Sequence, residues 1–390
     1  MIALVFMAAL AAGAPGPPAA AGPRPESSTT PTAAFAPDGT LWLAWVDGPH
    51  VHAGASKDGG ATFVSAVAVN PEAEPIDANG EARPKIAIGA KGEVYVSYTR
   101  KLAKPYTGEI RFSRSTDGGR SFSPPVTVND DGLATGHRFD TLAVAPNGDV
   151  HLVWIDKRDG EAAAARGDAY EGAALYDAVS TDGGATFAKN RKLKDHVCEC
   201  CRLALAWDGG VPVLLLRDLM DGGVRDHALA RLDGAKAATF ARATDDGWEI
   251  AGCPHAGPSL AAGSGGVLHL AWFTGAGTRG SGTFYRRSTD GGRSFTAPMR
   301  LGGERGTGRP HVLAQGEAVW VSWREALDDT TSAVFAIRSS DAGATWSAPR
   351  EVARTRGDSD HPLLVAHGEA AYLSWFSKAD GYRLLPLDGR

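Results

Sequence analysis

The chain has 390 residues but only four cysteines and four methionines. A disulfide-dense scaffold is thereby excluded, since such scaffolds are short and cysteine-rich. There is no basic tract and no acidic tail, and the formal net charge is -5. No nucleic-acid or anionic-membrane partner is therefore expected, because both need a concentrated positive surface. Beyond the first dozen residues, no apolar run approaches the roughly 20 residues of a membrane-spanning helix. The 49 glycines and 23 prolines are too many for a helical protein and suit a fold rich in tight turns.

The N-terminus carries an apolar core, Ile2 to Ala12, followed by Pro/Ala-rich sequence with small residues at Ala19 and Ala21. This pattern predicts an export signal over residues 1–21, a single domain over 22–390, and a periplasmic or secreted location. No Lys or Arg precedes the apolar run, so a hydrophobic N-terminal strand is the alternative.

One motif recurs. Ser56, Asp58, Gly60, Thr62 and Phe63 keep the same spacing as Ser115, Asp117, Gly119, Ser121 and Phe122. Three further copies start at Ser180, Ser288 and Ser339. A degraded relative runs from Leu232 to Phe240. In this pattern Asp can accept backbone N–H groups across a turn, Gly supplies positive φ, and the aromatic packs beneath. It describes a hairpin cap. Between the caps, apolar alternating runs end at Trp45, Tyr98, Trp154, Leu216, Trp272, Trp323 and Trp375, in steps of 51 to 62 residues. Period-two runs bounded by turn residues are strands, and each unit holds four of them. The reading is an all-β propeller of four-stranded antiparallel blades. Seven units favour seven blades, with six blades and an accessory hairpin as the alternative. The last unit has no cap, and its outer strand is either absent or supplied by Pro23–Thr30.

The caps resemble the Asp-box, or BNR, repeat of the sialidase superfamily. That resemblance implies that the caps lie on the face away from the functional site. Function is then expected in the loops leading into each inner strand and in those joining the second and third strands. Arg83, Arg138, Arg202 and Arg309 stand at matching points before or at four inner strands. Sialidases use three arginines on a sugar carboxylate, and guanidinium groups suit that task. With them, Asp140, Asp156, Arg158, His311, Asp360 and His361 make up the candidate ligand site. The family's Phe/Tyr-Arg-Ile-Pro motif is absent, and Tyr170, Tyr176 and Tyr285 sit in no recognisable nucleophile motif.

The cysteines are clustered rather than scattered. His196, Cys198, Cys200 and Cys201 lead into the fourth unit, and Cys253 and His255 lead into the fifth. Three chemistries fit: disulfides stapling two blades, a copper or zinc site of thiolates and imidazoles, or a redox centre. The flanking histidines keep the metal reading open, although the spacing matches no standard zinc motif. The expectation is a monomer whose polar channel face binds a small anionic ligand, a glycan, a metal ion or a partner. The alternative is an exo-sialidase-type glycoside hydrolase acting on terminal acidic sugars.

Overall fold

The computed structural model describes residues 30–234 and 238–388. The expected export signal, and all but the last residue of Pro23–Thr30, lie outside the described residues. The chain forms seven antiparallel sheets arranged as a ring, a seven-bladed propeller. Six blades have four strands, and the seventh has three among the described residues. The seven innermost strands are Thr32–Phe35, Lys85–Ile88, His137–Val144, Ala204–Asp208, Ser259–Ala262, His311–Gln315 and Leu363–His367. Each contacts the next, and the last contacts the first, so the ring is closed. All seven contribute to a central channel cavity of about 480 Å³, through Thr32, Lys85, Thr141, Ala204, Ser259, His311 and Leu363 among others.

Each blade presses both its faces onto neighbours. Strand alternation therefore feeds two apolar cores instead of one core and solvent. In the fourth blade, Leu214 and Leu216 pack against Val153, Ile155 and Leu175 of the third. The intervening Val213 and Leu215 pack against Leu268, Leu270 and Trp272 of the fifth. Seven such clusters occur, one per blade junction. This is why the second strands read as nearly continuous apolar runs. The aromatic residues used to count units are all buried on second strands. Several meet the polar demand of the indole N–H locally: Trp154 donates to Asp156 at 2.9 Å and Trp272 to Asp246 at 2.7 Å.

The five repeated motifs occupy turns between third and fourth strands. In the first, Ser56 donates to Asp58 Oδ1 at 2.7 Å, and Thr62 donates to the same carboxylate through N–H and hydroxyl at 2.9 and 2.5 Å. These bonds, led by the Thr62 hydroxyl, pull the exposed Asp58 carboxyl down to about 2. Its folded pKa lies below its unfolded value. The stabilisation it carries is therefore present above the ordinary Asp range and is lost as pH falls through about 2.

The caps also do something the sequence did not disclose: each reaches into the preceding blade. Phe187 packs edge-on against Phe112 of the second blade with ring centroids 4.9 Å apart, and Trp346 against Tyr285 of the fifth at 4.8 Å. The first cap closes the ring. Phe63 lies 5.8 Å from Tyr382 of the seventh blade, and a Cβ on Gly60 would stand 3.3 Å from the same ring.

One short helix, Arg158–Arg166, interrupts the all-β pattern in the loop between second and third strands of the third blade. Its alanine run and the left-handed C-cap at Gly167 explain it locally.

The fifth cap has Ala342 where the other four have glycine, and Ala342 takes φ 52°. A Cβ in the left-handed region costs about 1–2 kcal/mol, part of which glycine's greater unfolded-state freedom cancels. Ala342→Gly is therefore expected to raise stability by roughly 0.5–1 kcal/mol in a reversible denaturant titration. A neutral or destabilising result would show that this turn is not strained.

Candidate functional site

The mouth of the channel, on the face away from the caps, is organised around a carboxylate that was not among the expected site residues. Glu81 is 2% exposed. Its Oε2 accepts the backbone N–H of Arg202 at 2.8 Å and of Gly257 at 2.9 Å. Its Oε1 faces Arg202 Nη1 at 3.1 Å and Arg309 Nη1 at 3.3 Å. One side chain from the second blade thus holds the loops leading into the fourth, fifth and sixth. It was legible only as a carboxylate two residues before Arg83.

The expected arginines divide. Arg83 and Arg202 line the channel. Arg83 is ion-paired with buried Asp360 and donates to the carbonyl of Pro31 at 3.0 Å. Arg202 also donates to the carbonyls of Pro258 at 3.2 Å and Pro310 at 2.9 Å, and meets His361 Nδ1 at 3.2 Å. Arg309 bonds the His255 carbonyl. Arg138 instead turns to Asp77 at 2.6 Å and stacks over Phe139. These arginines are engaged by the protein's own carboxylates and carbonyls.

The remaining candidates fall in three places. Asp140 is buried and accepts from Ser97 at 2.5 Å, and burial pushes its carboxyl up. His361 is buried and His311 half-buried on the channel wall, both beside Arg202 and Arg83. Burial, reinforced by those cations, drives His311 down to about 3 and His361 well below the usual imidazole range. Both are neutral acceptors: His311 Nδ1 takes the Leu364 N–H at 3.2 Å. Asp156 and Arg158 form a separate network in the third blade. There Asp156 accepts from Arg158 at 2.8 Å and Trp154 at 2.9 Å, and Arg158 stacks on Tyr176.

Next to the mouth lies a cavity of about 330 Å³ lined by Asn79, Arg309, Arg324, Asp360, His361 and Lys378, among others. Among the described residues, no tyrosine lines it. Tyr170 and Tyr176 donate to Asp195 and Asp159 at 2.8 Å each, and Tyr285 is bonded to His269 at 2.7 Å.

The cysteines gather on the other side of the mouth. Cys198, Cys200 and Cys201 are 1–3% exposed and sit in the apolar core between the third and fourth blades. Cys198 Sγ is 3.9 Å from Cys200 Sγ and 3.6 Å from Cys201 Sγ. A disulfide needs about 2.05 Å, and all four cysteines are free. Cys253 and His255, both exposed, form a second group with Cys200. In each group the ligand atoms lie within 4.8 Å of one another. His196 is not brought in. Its Nδ1 meets the Glu171 carbonyl at 3.0 Å and its ring lies against Tyr170. Its positive φ of 58° turns it away from the sulfurs.

Positive charge surrounds the thiols. Arg217 and Arg225 lower the Cys198 thiol, although hydrogen bonds from Cys200 and Cys201 lower it more. Burial raises Cys201 to about 11. Arg217 donates to the carbonyls of Ala256 at 2.8 Å, Arg225 at 2.5 Å and Phe273 at 2.6 Å. It thereby fixes the loop that carries Cys253 and His255. Arg225 has Nε and Nη1 buried without a hydrogen-bond partner. Non-glycine residues with positive φ also concentrate here, at Phe139, His196, His255 and Arg309.

No protein-family model matches the chain, and no curated protein matches it. Solved structures do. An ulvan lyase is 12% identical over 92% of both chains, with a TM-score of 0.57. A Hadza microbial sialidase is 15% identical over 89% of this chain and 76% of its own, with a TM-score of 0.52. A Penicillium chrysogenum α-L-arabinanase is 14% identical over 81% and 96%, with a TM-score of 0.53. At these identities the likeness is one of fold: a propeller shared with proteins named for carbohydrate cleavage.

Removing Glu81 would leave Arg202 and Arg309 facing each other without their anion. Glu81→Ala is expected to destabilise the protein by about 3–5 kcal/mol, as for a broken buried ion pair. Chemical denaturation measures it; a loss within experimental error would mean that Glu81 does not hold the mouth.

Proposed function

We propose that this chain is an exported propeller that binds a soft metal ion, Cu(I) or Zn(II), through its cysteine cluster. The observation that carries the reading is the convergence of the sulfurs, at 3.6 and 3.9 Å. Four sulfurs placed about 2.3 Å from a tetrahedral ion lie about 3.8 Å apart. The spacing is also that of sulfurs in simple contact; what favours a metal is that three thiols converge at one point and that Cys200 is shared with Cys253 and His255. A structural staple would not use an imidazole, yet His255 joins the group. Arg217 and Arg225 offset the negative charge that thiolates bring into the core. In an oxidising compartment, bound metal would also protect thiols that otherwise pair.

The test is metal analysis of the purified, reduced chain. Wild type is expected to hold copper or zinc stoichiometrically, and Cys198→Ser to lose affinity by at least about tenfold. A metal-free wild type in which mass spectrometry finds two disulfides would overturn the reading.

The 330 Å³ cavity supports a second reading, an acidic sugar held by Arg324 and Lys378. It is consistent with the named activities of the fold's neighbours. Arg324 stands on Ser359 at 3.0 Å and Thr307 at 3.0 Å. Arg324→Ala is expected to abolish retention on an immobilised sialic-acid or uronic-acid matrix. Retention equal to wild type, or none by either protein, counts against this cavity as the sugar site. Release of fluorophore from a sialoside would establish turnover.

A further inference from the structure

The five donor atoms of the cluster form two groups of three that meet at Cys200. One group, Cys198, Cys200 and Cys201, is enclosed in the core between blades three and four. The other, Cys200, Cys253 and His255, opens to solvent at the loop leading into the fifth blade. One zinc ion needs four donors at about 2.0–2.3 Å, and neither triplet supplies four. Cu(I), selected by thiolate ligands, is content with three donors or two. A thiolate has lone pairs enough to bind two such ions at once.

We infer that the cluster is built for two Cu(I) ions bridged by the Cys200 thiolate, one enclosed by Cys198 and Cys201 and one at the surface on Cys253 and His255. This rests on the metal-binding reading and goes further in naming the ion, the stoichiometry and a division of labour. The surface pair is the port: its donors are exposed, so an ion can exchange there with a small thiol or another protein. The buried pair is the store, reached only through Cys200. Charge supports the arrangement. Four thiolates and two monovalent cations leave two negative charges; Arg217 takes the Cys198 N–H on its backbone carbonyl at 3.2 Å, and its guanidinium donates to the Arg225 carbonyl at 2.5 Å, so both arginines belong to this neighbourhood. The unpartnered Nε and Nη1 of Arg225 give it donors free to face that charge.

The experiment is anaerobic titration of the reduced full chain with Cu(I) in the presence of a chromogenic Cu(I) chelator. Wild type is expected to take two equivalents, and X-ray absorption of the loaded protein to show a copper–copper scattering path. The Cys253→Ser, His255→Ala double variant alters only exposed positions and should still fold. It is expected to take one equivalent and to lose the copper–copper path. Wild type saturating at one equivalent, or a double variant that still takes two, overturns the bridged pair while leaving metal binding intact. No uptake by wild type overturns both. If zinc binds at one equivalent and displaces Cu(I), the cluster is a single tetrahedral site and the inference is wrong.

Discussion

The mouth of this propeller is held by one buried carboxylate. Glu81 has four donors on its two oxygens, two backbone amides and two guanidinium groups. They belong to loops of three different blades. A propeller's blades touch mainly through apolar side chains, which hold surfaces together but fix loops poorly, because apolar contact is non-directional. Directional order at the mouth has to come from hydrogen bonds. Charge-assisted bonds to a desolvated carboxylate are the strongest kind available. Arg202 then passes that order outward, to Pro258, Pro310 and His361. The position of Gly257, and with it the segment holding Cys253 and His255, follows from the same anchor.

The arginines at the mouth already have carboxylate partners within the protein. Guanidinium groups converging on a channel invite the idea of a carboxylate ligand. Here the carboxylate is the protein's own. At the side cavity Arg324 is bonded to neutral groups, Thr307 and Ser359, and Lys378 is paired with Asp358 at 2.6 Å; near the sulfurs, Arg225 has Nε and Nη1 buried without a partner. The two neighbourhoods lie on one face but have opposite chemistry. One is polar, with Arg309, Arg324 and Lys378 set among Asp358 and Asp360; the other is sulfur-rich and backed by buried leucines and valines. Hard anions and soft cations are each given a setting that suits them.

The fold was legible because a propeller repeats its physics. Turn chemistry at the Asp motifs and apolar runs ending at Trp45 through Trp375 recur at near-constant spacing, and that alone gives seven blades. The convergence of Cys198, Cys200, Cys201, Cys253 and His255 was also legible, since adjacent inner strands bring their leading loops together. Glu81 was not, because a single carboxylate in a polar loop looks like any other until its partners, over a hundred residues away, are placed. His196 misled for a related reason: sequence neighbourhood cannot report a backbone that turns left-handed at φ 58°. The helix at Arg158–Arg166 has no slot in a blade pattern, and only its alanine run marks it in the sequence.

The docking of each cap into the blade before it bears on how the molecule is made. Four of the five capped blades could settle on a predecessor already emerged from the ribosome or from a translocation pore. The first cannot. Its cap, at Gly60 and Phe63, rests on Tyr382 and Leu384 of the seventh blade, which is made after all the others described here. The first blade therefore waits until the seventh has been made before its cap is covered, and the ring locks only when these two blades meet.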